Sequence, residues 1–260
     1  MKCHNGVVDE QIADLVGLIA AADAIMIVTG AGVSTDSGIP DYRGPKGVWK
    51  TEQPVMYQDF VSDPDQRVEY WDQKLRAADA FNQAHPGAAH RACVELESAG
   101  KLHALVTQNV DGLHARAGTS GDRLVEVHGT AMEVYCLDCG ERTPTQPHLD
   151  AFAESREAPI CHCGGLLKPA TISFGQQLDP MTMYRAQLAA EEADLVIALG
   201  STLSVYPAAE IPLVAARRGV PYAIVNQGQT DHDGSIYLTL RIDGNVSTVF
   251  PQAVTSALTP

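Results

Sequence analysis

No run of about 18 apolar residues occurs in the 260-residue chain, so no stretch of it is long and apolar enough to cross a membrane as a helix. Basic residues are scarce: 18 Lys and Arg stand against 32 Asp and Glu, a formal net charge of -14. A protein that neutralises nucleic-acid phosphates ordinarily carries a basic face, so neither nucleic acid nor a membrane is an expected partner. The acidity suits solubility and is compatible with a basic protein substrate. The opening MKCHNGVVDEQ has neither the apolar core of a secretory signal nor an Arg-rich transit pattern, and the cytoplasm is the expected compartment. Internal repeats, low-complexity tracts and a heptad seam are missing too, and a monomer is the default expectation.

What the chain does have is a 45% hydrophobic content, enough for one α/β domain with a smaller insertion. Short apolar runs end in glycine or polar loops: AIMIV (24–28), LHALV (102–106), RLVEV (123–127), DLVIALG (194–200) and PYAIV (221–225). These are expected to be buried strands of a largely parallel sheet. Helical patterns separate them: EQIADLVGLIAAA, PGAAHRACVELESA, AAEIPLVAARR and a closing segment near Val246 to Leu258. The alternation predicts an α/β fold, a Rossmann-like doubly wound parallel sheet whose ligands sit outside the carboxyl ends of the strands. Two regions break it. Residues 45–84, with the helical EYWDQKLRAADAFNQA, and residues 131–170, with little core-like periodicity, are expected to form a small helical and zinc-ribbon domain. Residues 1–44, 85–130 and 171–260 would then form the nucleotide-binding domain.

Cysteine sorts into two kinds. Cys3 and Cys93 stand alone, and Cys93 lies in a helical pattern where burial explains it. Cys136, Cys139, Cys161 and Cys163 form two pairs, and in a reducing compartment such pairs favour metal over disulfides. Two short hairpins with two thiolates each suit tetrahedral Zn2+, and four sulfurs leave no open position, so the expected ion is structural. Cys161-x-Cys163 is one residue tight, which leaves His162 as a competing ligand and a redox role as the alternative.

At the strand ends, Gly30-Ala31-Gly32 would let the backbone turn tightly against a diphosphate, or form only a strand–helix turn. The third glycine of the dinucleotide fingerprint is absent, because Thr35 occupies its place. A polar loop follows, carrying Ser34, Asp36, Ser37, Asp41 and Arg43; it is a plausible lid or a solvated surface loop. Gln108, Asn109 and Asp111 follow the second strand, where they could hold a ribose and a carboxamide or cap a helix. His128 follows RLVEV at the same end of the sheet, and a neutral imidazole there can serve as general base.

Taken in order, GAGVSTDSGIPDYRG, TQNVDGLHARAG, VHGTAMEVYCLDCG, CGGLLKPATISFGQQL, ALGSTLSVYPAA and IVNQGQT resemble the sirtuins, the NAD-dependent protein deacylases, over nearly the whole chain. Asp41-Tyr42-Arg43, CLDCGE and CGGLLKP look most like a branch shared by bacterial proteins and one mitochondrial sirtuin. The resemblance implies that Gly30, Ala31 and Gly32 take the NAD diphosphate. Residues 33–49 would form a mobile lid, including Ser34, Ile39, Pro40, Asp41, Tyr42, Arg43 and Trp49. Asn109, Val110, Asp111 and Ile39 would hold the nicotinamide end, and Gln108 the adjoining ribose. Gly200, Ser201 and Thr202 would meet the phosphate–ribose region. Asn226, with Gln227 and Gly228, would meet the adenosine ribose, and Asn245 and Val246 the adenine. Ser173, Phe174 and Gly175 would pair with an extended acyl-lysine peptide. His128, Asn109 and Asp111 make up the implied catalytic set.

The implied chemistry starts with attack of an acyl-lysine oxygen on C1′ of the nicotinamide ribose. His128 then helps a ribose hydroxyl attack the acyl carbon, and water releases lysine and O-acyl-ADP-ribose. Two departures stand out. Relatives that remove acidic acyl groups carry a Tyr-x-x-Arg pair, where this chain offers Trp71 and Lys74; a lysine lacks the bidentate fork, which favours acetyl or longer neutral acyl groups. Gln176 stands where many relatives have Glu. Mono-ADP-ribosyl transfer to protein is the alternative activity, and a non-catalytic NAD or ADP-ribose sensor is a third reading.

Overall fold

The computed structural model describes residues 2–44 and 47–259, with side chains from Asp9 onward. In chain order the strands are β1 (Ile25–Thr29), β2 (Leu102–Thr107), β3 (Leu124–Glu126), β4 (Gly129–Cys136), β5 (Arg142–Pro144), β6 (Leu167–Thr171), β7 (Leu195–Leu199), β8 (Tyr222–Asn226) and β9 (Leu240–Asp243). The helices are α1 (Lys2–Ala21), α2 (Tyr57–Ser62), α3 (Pro64–Gln83), α4 (Ala88–Ser98), α5 (Leu113–Ala117), α6 (Thr145–Ser155), α7 (Pro180–Glu192), α8 (Ile211–Ala216) and α9 (Val246–Leu258).

Six strands form one parallel sheet in the order β3-β2-β1-β7-β8-β9. Their side chains alternate between two cores. Ile25, Ile27, Leu105, Ile197, Leu199, Val225 and Ile242 pack against α1, α4 and α9. Met26, Val28, Val106, Val196, Ala198 and Ile224 pack against α7 and α8. Strands buried on both faces need continuous apolar runs, which is why IMIVT and LVIAL show no polar alternation. Strand order reverses at β1, between β2 and β7, and the crevice for a ligand opens beyond the carboxyl ends of those strands.

The five expected strands are present, and β9 is a sixth. Its LRID buries only Leu240 and Ile242, as suits the edge of a sheet, so its apolar signal is short. The first helix starts at Lys2 instead of Glu10. The unanticipated α7 buries just Ala186, Ala189 and Ala190, too thin a stripe to register as periodicity. Its start is nevertheless encoded: Pro180 occupies the first turn, and Asp179 accepts the Thr182 amide at 2.7 Å. The same Asp-Pro pair opens α3, where Asp63 accepts the Asp65 amide at 2.8 Å.

A second, antiparallel sheet has the order β5-β4-β6. With α2, α3 and α6 it encloses Phe60, Tyr70, Trp71, Val134, Leu149, Phe152 and Leu167. The strand β4 begins beside the main sheet's crevice and ends at Cys136, so one element joins His128 to the cysteine cluster.

Candidate active site

Three glycines interlock where β1 and β7 end. A Cβ on Gly30 would lie 2.8 Å from the Gly200 carbonyl oxygen, and one on Gly32 would lie 2.7 Å from the Gly200 Cα. Gly200 itself has φ +60, and its Cβ would approach the Val33 nitrogen to 2.6 Å. The backbone is locked there by Gly30 N donating to the Leu199 carbonyl (3.0 Å) and Gly32 N to the Gly200 carbonyl (2.8 Å). The glycines therefore serve close packing of two turns, which is a firmer requirement than approach to a diphosphate alone.

Beyond this turn the chain makes two 3-10 turns, Ala31–Val33 and Thr35–Ser37, and crosses the crevice. Ile39 is buried with Ala84 and Leu113, anchoring the loop, while Pro40 is exposed. Asp41 closes the next turn by accepting the Gly44 amide at 2.8 Å. Trp49 packs on this segment: its ring centroid is 4.9 Å from Tyr42, the Arg43 guanidinium lies 4.3 Å from it over the ring, and Phe174 meets it edge-on at 5.1 Å. Pro45 and Lys46 of the expected lid lie outside the described residues.

Gln108 ties three strand ends together. Its carbonyl accepts from His128 Nδ1 at 3.0 Å, and its side-chain amide donates to Ser201 Oγ at 3.1 Å. A carbonyl can only accept, so Nδ1 of His128 carries the proton and Nε2 keeps its lone pair. Burial lowers the His128 pKa below the ordinary imidazole value; the Gln108 carbonyl opposes this and the Arg43 charge adds to it. The ring is neutral at pH 7.

Asn109 donates through Nδ2 to the Gly30 carbonyl (3.1 Å) and to Ser34 Oγ (3.2 Å), and Ser34 donates in turn to Asp111 Oδ2 at 2.7 Å. The other Asp111 oxygen accepts the Leu113 amide at 2.9 Å, the cap-like role that its position before α5 suggested. One carboxylate thus caps a turn and anchors the loop. Val110 contributes its carbonyl to Ala131 N (2.8 Å), fixing the start of β4.

The remaining expected residues are spread along the same rim. Ser201 also accepts the Leu203 amide, and Thr202 bonds Ser204 through hydroxyls 2.8 Å apart. Asn226 donates to the carbonyls of exposed Gln227 and Gly228. Asn245 caps α9 by accepting the Ser247 amide (2.8 Å) and donates to Asp36 of the loop (3.3 Å), and Val246 is buried behind it. In the 173–175 segment, Ser173 N donates to Gln176 Oε1 (3.1 Å) and the Phe174 carbonyl accepts Tyr57 N (2.8 Å), so part of this backbone is already paired; Gly175 is exposed. Gln176 also donates to the Tyr135 hydroxyl at 2.8 Å.

Trp71 packs into the small core. Its indole is fully buried between Phe152 and His148 in the small core. The residue beside Lys74 is Tyr70, whose ring lies 4.7 Å from the ammonium and whose hydroxyl is 3.2 Å from Thr171 Oγ1. Burial alone would raise the Tyr70 pKa, but the ammonium groups of Lys74 and Lys168 bring it down to about 8.

The four cysteine sulfurs all lie within 4.8 Å of one another. Cys136 and Cys163 are 3.5 Å apart and Cys139 and Cys161 3.8 Å, close to the roughly 3.8 Å edge of a tetrahedron with 2.3 Å Zn–S bonds. The tight Cys161-x-Cys163 spacing is therefore no obstacle, and the cluster fits one structural zinc ion. His162 turns to Glu141, with Nδ1 3.0 Å from Oε2.

Other polar groups near the crevice were not singled out from the sequence. Thr29 and Thr107, at the ends of β1 and β2, bond through their hydroxyls at 2.8 Å, and His114 Nε2 lies 3.0 Å from Thr29 Oγ1. Glu126 is raised to about 6 by burial and then by Asp111 and Glu133. Each sits inside a strand or helix pattern that reads as scaffold; only the polar threonine closing each apolar run hinted otherwise.

The Sir2 family model matches residues 30–207. The chain is 40% identical over 235 residues to the Rhodopseudomonas palustris protein named NAD-dependent protein deacetylase, covering 90% of this chain and 92% of the relative. It is 42% identical over 214 residues to NAD-dependent protein deacetylase 2 of Streptomyces coelicolor, covering 80% and 88%. Among solved structures, a Sir2 histidine-to-alanine variant with a deacetylated p53 peptide and 3'-O-acetyl ADP-ribose matches with a TM-score of 0.86 at 33% identity, covering 94% and 97%. A Sir2 protein bound to a propionylated peptide matches with a TM-score of 0.83 at 31% identity, covering 94% and 97%. The interlocked glycine turn, the crevice histidine and the thiolate cluster are thus features of a chain that belongs to the Sir2 family.

Proposed function

We propose that the protein is an NAD-dependent protein-lysine deacylase, which uses NAD as co-substrate and forms nicotinamide, free lysine and an O-acyl-ADP-ribose. The observation that carries the reading is the state of His128: a neutral ring, oriented through Nδ1 by the Gln108 carbonyl, with a basic Nε2 at the strand ends. NAD supplies the electrophilic ribose carbon and the leaving group. The chain's residues bind, orient and exclude water. In this reading the Gly30–Gly32 turn and Gly200–Thr202 receive the phosphates, Asn109 and Asp111 hold the carboxamide end, and the loop carrying Tyr42 and Arg43 covers the ribose. Covering matters, because a severed glycosidic bond must be protected from premature hydrolysis. His128 Nε2 accepts the proton from the ribose hydroxyl when that oxygen attacks the acyl carbon.

Acyl-lysine segments enter along Ser173–Gly175, and acetyl or longer neutral chains are favoured, since Lys74 offers a point charge instead of a guanidinium fork. Zinc in the thiolate cluster holds β4 and the small sheet together and takes no part in the chemistry. The reading places the protein in a reducing cytoplasm, acting as a monomer. The test is an acetyl-lysine peptide incubated with NAD and followed by mass spectrometry. O-acetyl-ADP-ribose is expected. ADP-ribosylated protein alone would move the activity to ADP-ribosyl transfer, and neither product would leave only a sensor.

A further inference from the structure

Two buried imidazoles lie beneath the Asn109–Asp111 loop, and neither has a role in the chemistry above. His90, on the first turn of α4, and His114, on α5, have ring centroids 4.7 Å apart. Both are almost fully buried, at 0% and 2% exposure. Their outer nitrogens have fixed roles. The Gly87 amide donates to His90 Nδ1 at 3.1 Å, so on the neutral ring the proton is on Nε2. The Thr29 hydroxyl gives its one proton to Thr107 Oγ1, so it accepts from His114 Nε2–H, and His114 Nδ1 keeps a lone pair.

The two remaining nitrogens are complementary. His90 Nε2 is a donor and His114 Nδ1 an acceptor, and among the described residues neither has a hydrogen-bond partner. Buried Thr119 Oγ1 and Ser37 Oγ are also unpartnered; the Thr119 amide donates to the His114 carbonyl, and Ser37 borders Gly87. Unpaired buried polar groups are costly, whereas one water with several polar neighbours satisfies them at little cost.

We propose that a single buried water accepts from His90 Nε2–H and donates to His114 Nδ1, making both histidines positioning residues for NAD binding. The connected path runs from the Gly87 amide through His90, the water, His114 and Thr29 to Thr107. Thr107 Oγ1 accepts the Asn109 amide at 3.0 Å, so the path ends on the residue assigned to the carboxamide end of NAD. The proposal rests on the NAD reading given above for its binding readout.

Side-chain amides separate hydrogen bonding from mere filling. His90→Gln can still accept the Gly87 amide, as glutamine does three residues into a capped helix, and can still donate to the water. His90→Leu does neither. His114→Leu loses both the donor to Thr29 and the acceptor for the water; His114→Asn keeps an acceptor at the position of Nδ1. NAD affinity of the full chain is measured by calorimetry, turnover at saturating NAD in parallel, and folding by near-UV circular dichroism. His114→Leu and His90→Leu should weaken NAD roughly five- to tenfold, one buried hydrogen bond's worth, with turnover little changed. His90→Gln should restore most of the affinity, and a high-resolution crystal structure should show solvent density between the rings. If His90→Leu does not fold, the His114 pair decides. Unchanged NAD affinity in His114→Leu, a His90→Gln as weak as His90→Leu, or a direct His90–His114 bond in the density would overturn the proposal. A wild-type protein that binds no NAD would instead defeat the functional reading, while the density would still judge the water.

Discussion

Mild acid should destabilise this protein in part through His114. Burial, reinforced by neighbouring His90, pushes its pKa from 6.5 to about 3. The folded value lies below the unfolded one, so the unfolded chain binds the extra proton as pH falls. The contribution is fully present above about pH 6.5 and is lost progressively down to about pH 3. Each pH unit inside that window costs up to about 1.4 kcal/mol, so moving from pH 7 to pH 5 removes about 2 kcal/mol from this ring alone. For a chain of this size that corresponds to a fall of roughly 4–8 °C in melting temperature. Glutamine at position 114 has no proton to take up. The measurement is therefore a pair of stability–pH curves from denaturant titration, wild type against His114→Gln, with the wild-type curve steeper by about 1 kcal/mol per pH unit between 7 and 5. Working on the difference cancels Glu126, which is raised to about 6 and acts in the opposite direction. Parallel curves would refute the reasoning, because they would mean that the ring protonates where it stands.

The other expectations are simpler to state. His128→Ala should lower turnover by roughly 10²–10⁴ with NAD binding retained, and near-wild-type nicotinamide release would remove it from the general-base role. One zinc per chain should be found by elemental analysis and lost in Cys139→Ser, together with the near-UV signal of the small core; a variant that keeps a full equivalent of zinc would discredit the four-sulfur site. Gly200→Ala combines a positive φ with a 2.6 Å clash against the Val33 nitrogen, so it should cost at least about 1–3 kcal/mol and disrupt NAD binding; a stable, NAD-binding variant would show that the turns are not interlocked. Gln176→Ala loses both the acceptor for the Ser173 amide and the donor to Tyr135 and should raise the peptide KM several-fold, and an unchanged KM would leave Gln176 without that role.

The main sheet was legible because parallel strands buried on both faces write themselves as uninterrupted runs such as IMIVT and LVIAL. The edge strand β9 was not, since an edge buries two side chains and lets Arg241 and Asp243 interrupt them. Helices lying on the sheet through alanines, as α7 does, carry too little apolar bulk for periodicity, although Asp179-Pro180 marked its start. In the site, residues on loops after strands stood out by their polarity. His90 and His114 did not, because a histidine inside a helix is indistinguishable from scaffold until its ring nitrogens can be followed to their partners.

The stacking of Trp49 has a consequence for the order of events. One ring touches Tyr42 and Arg43 of the loop that would cover the ribose, and Phe174 of the segment where an acyl-lysine would enter. Whatever settles that indole from either direction prepares it for the other. Linkage then requires that whatever factor the peptide imposes on NAD affinity, NAD imposes on the peptide, with a tryptophan as the shared fulcrum.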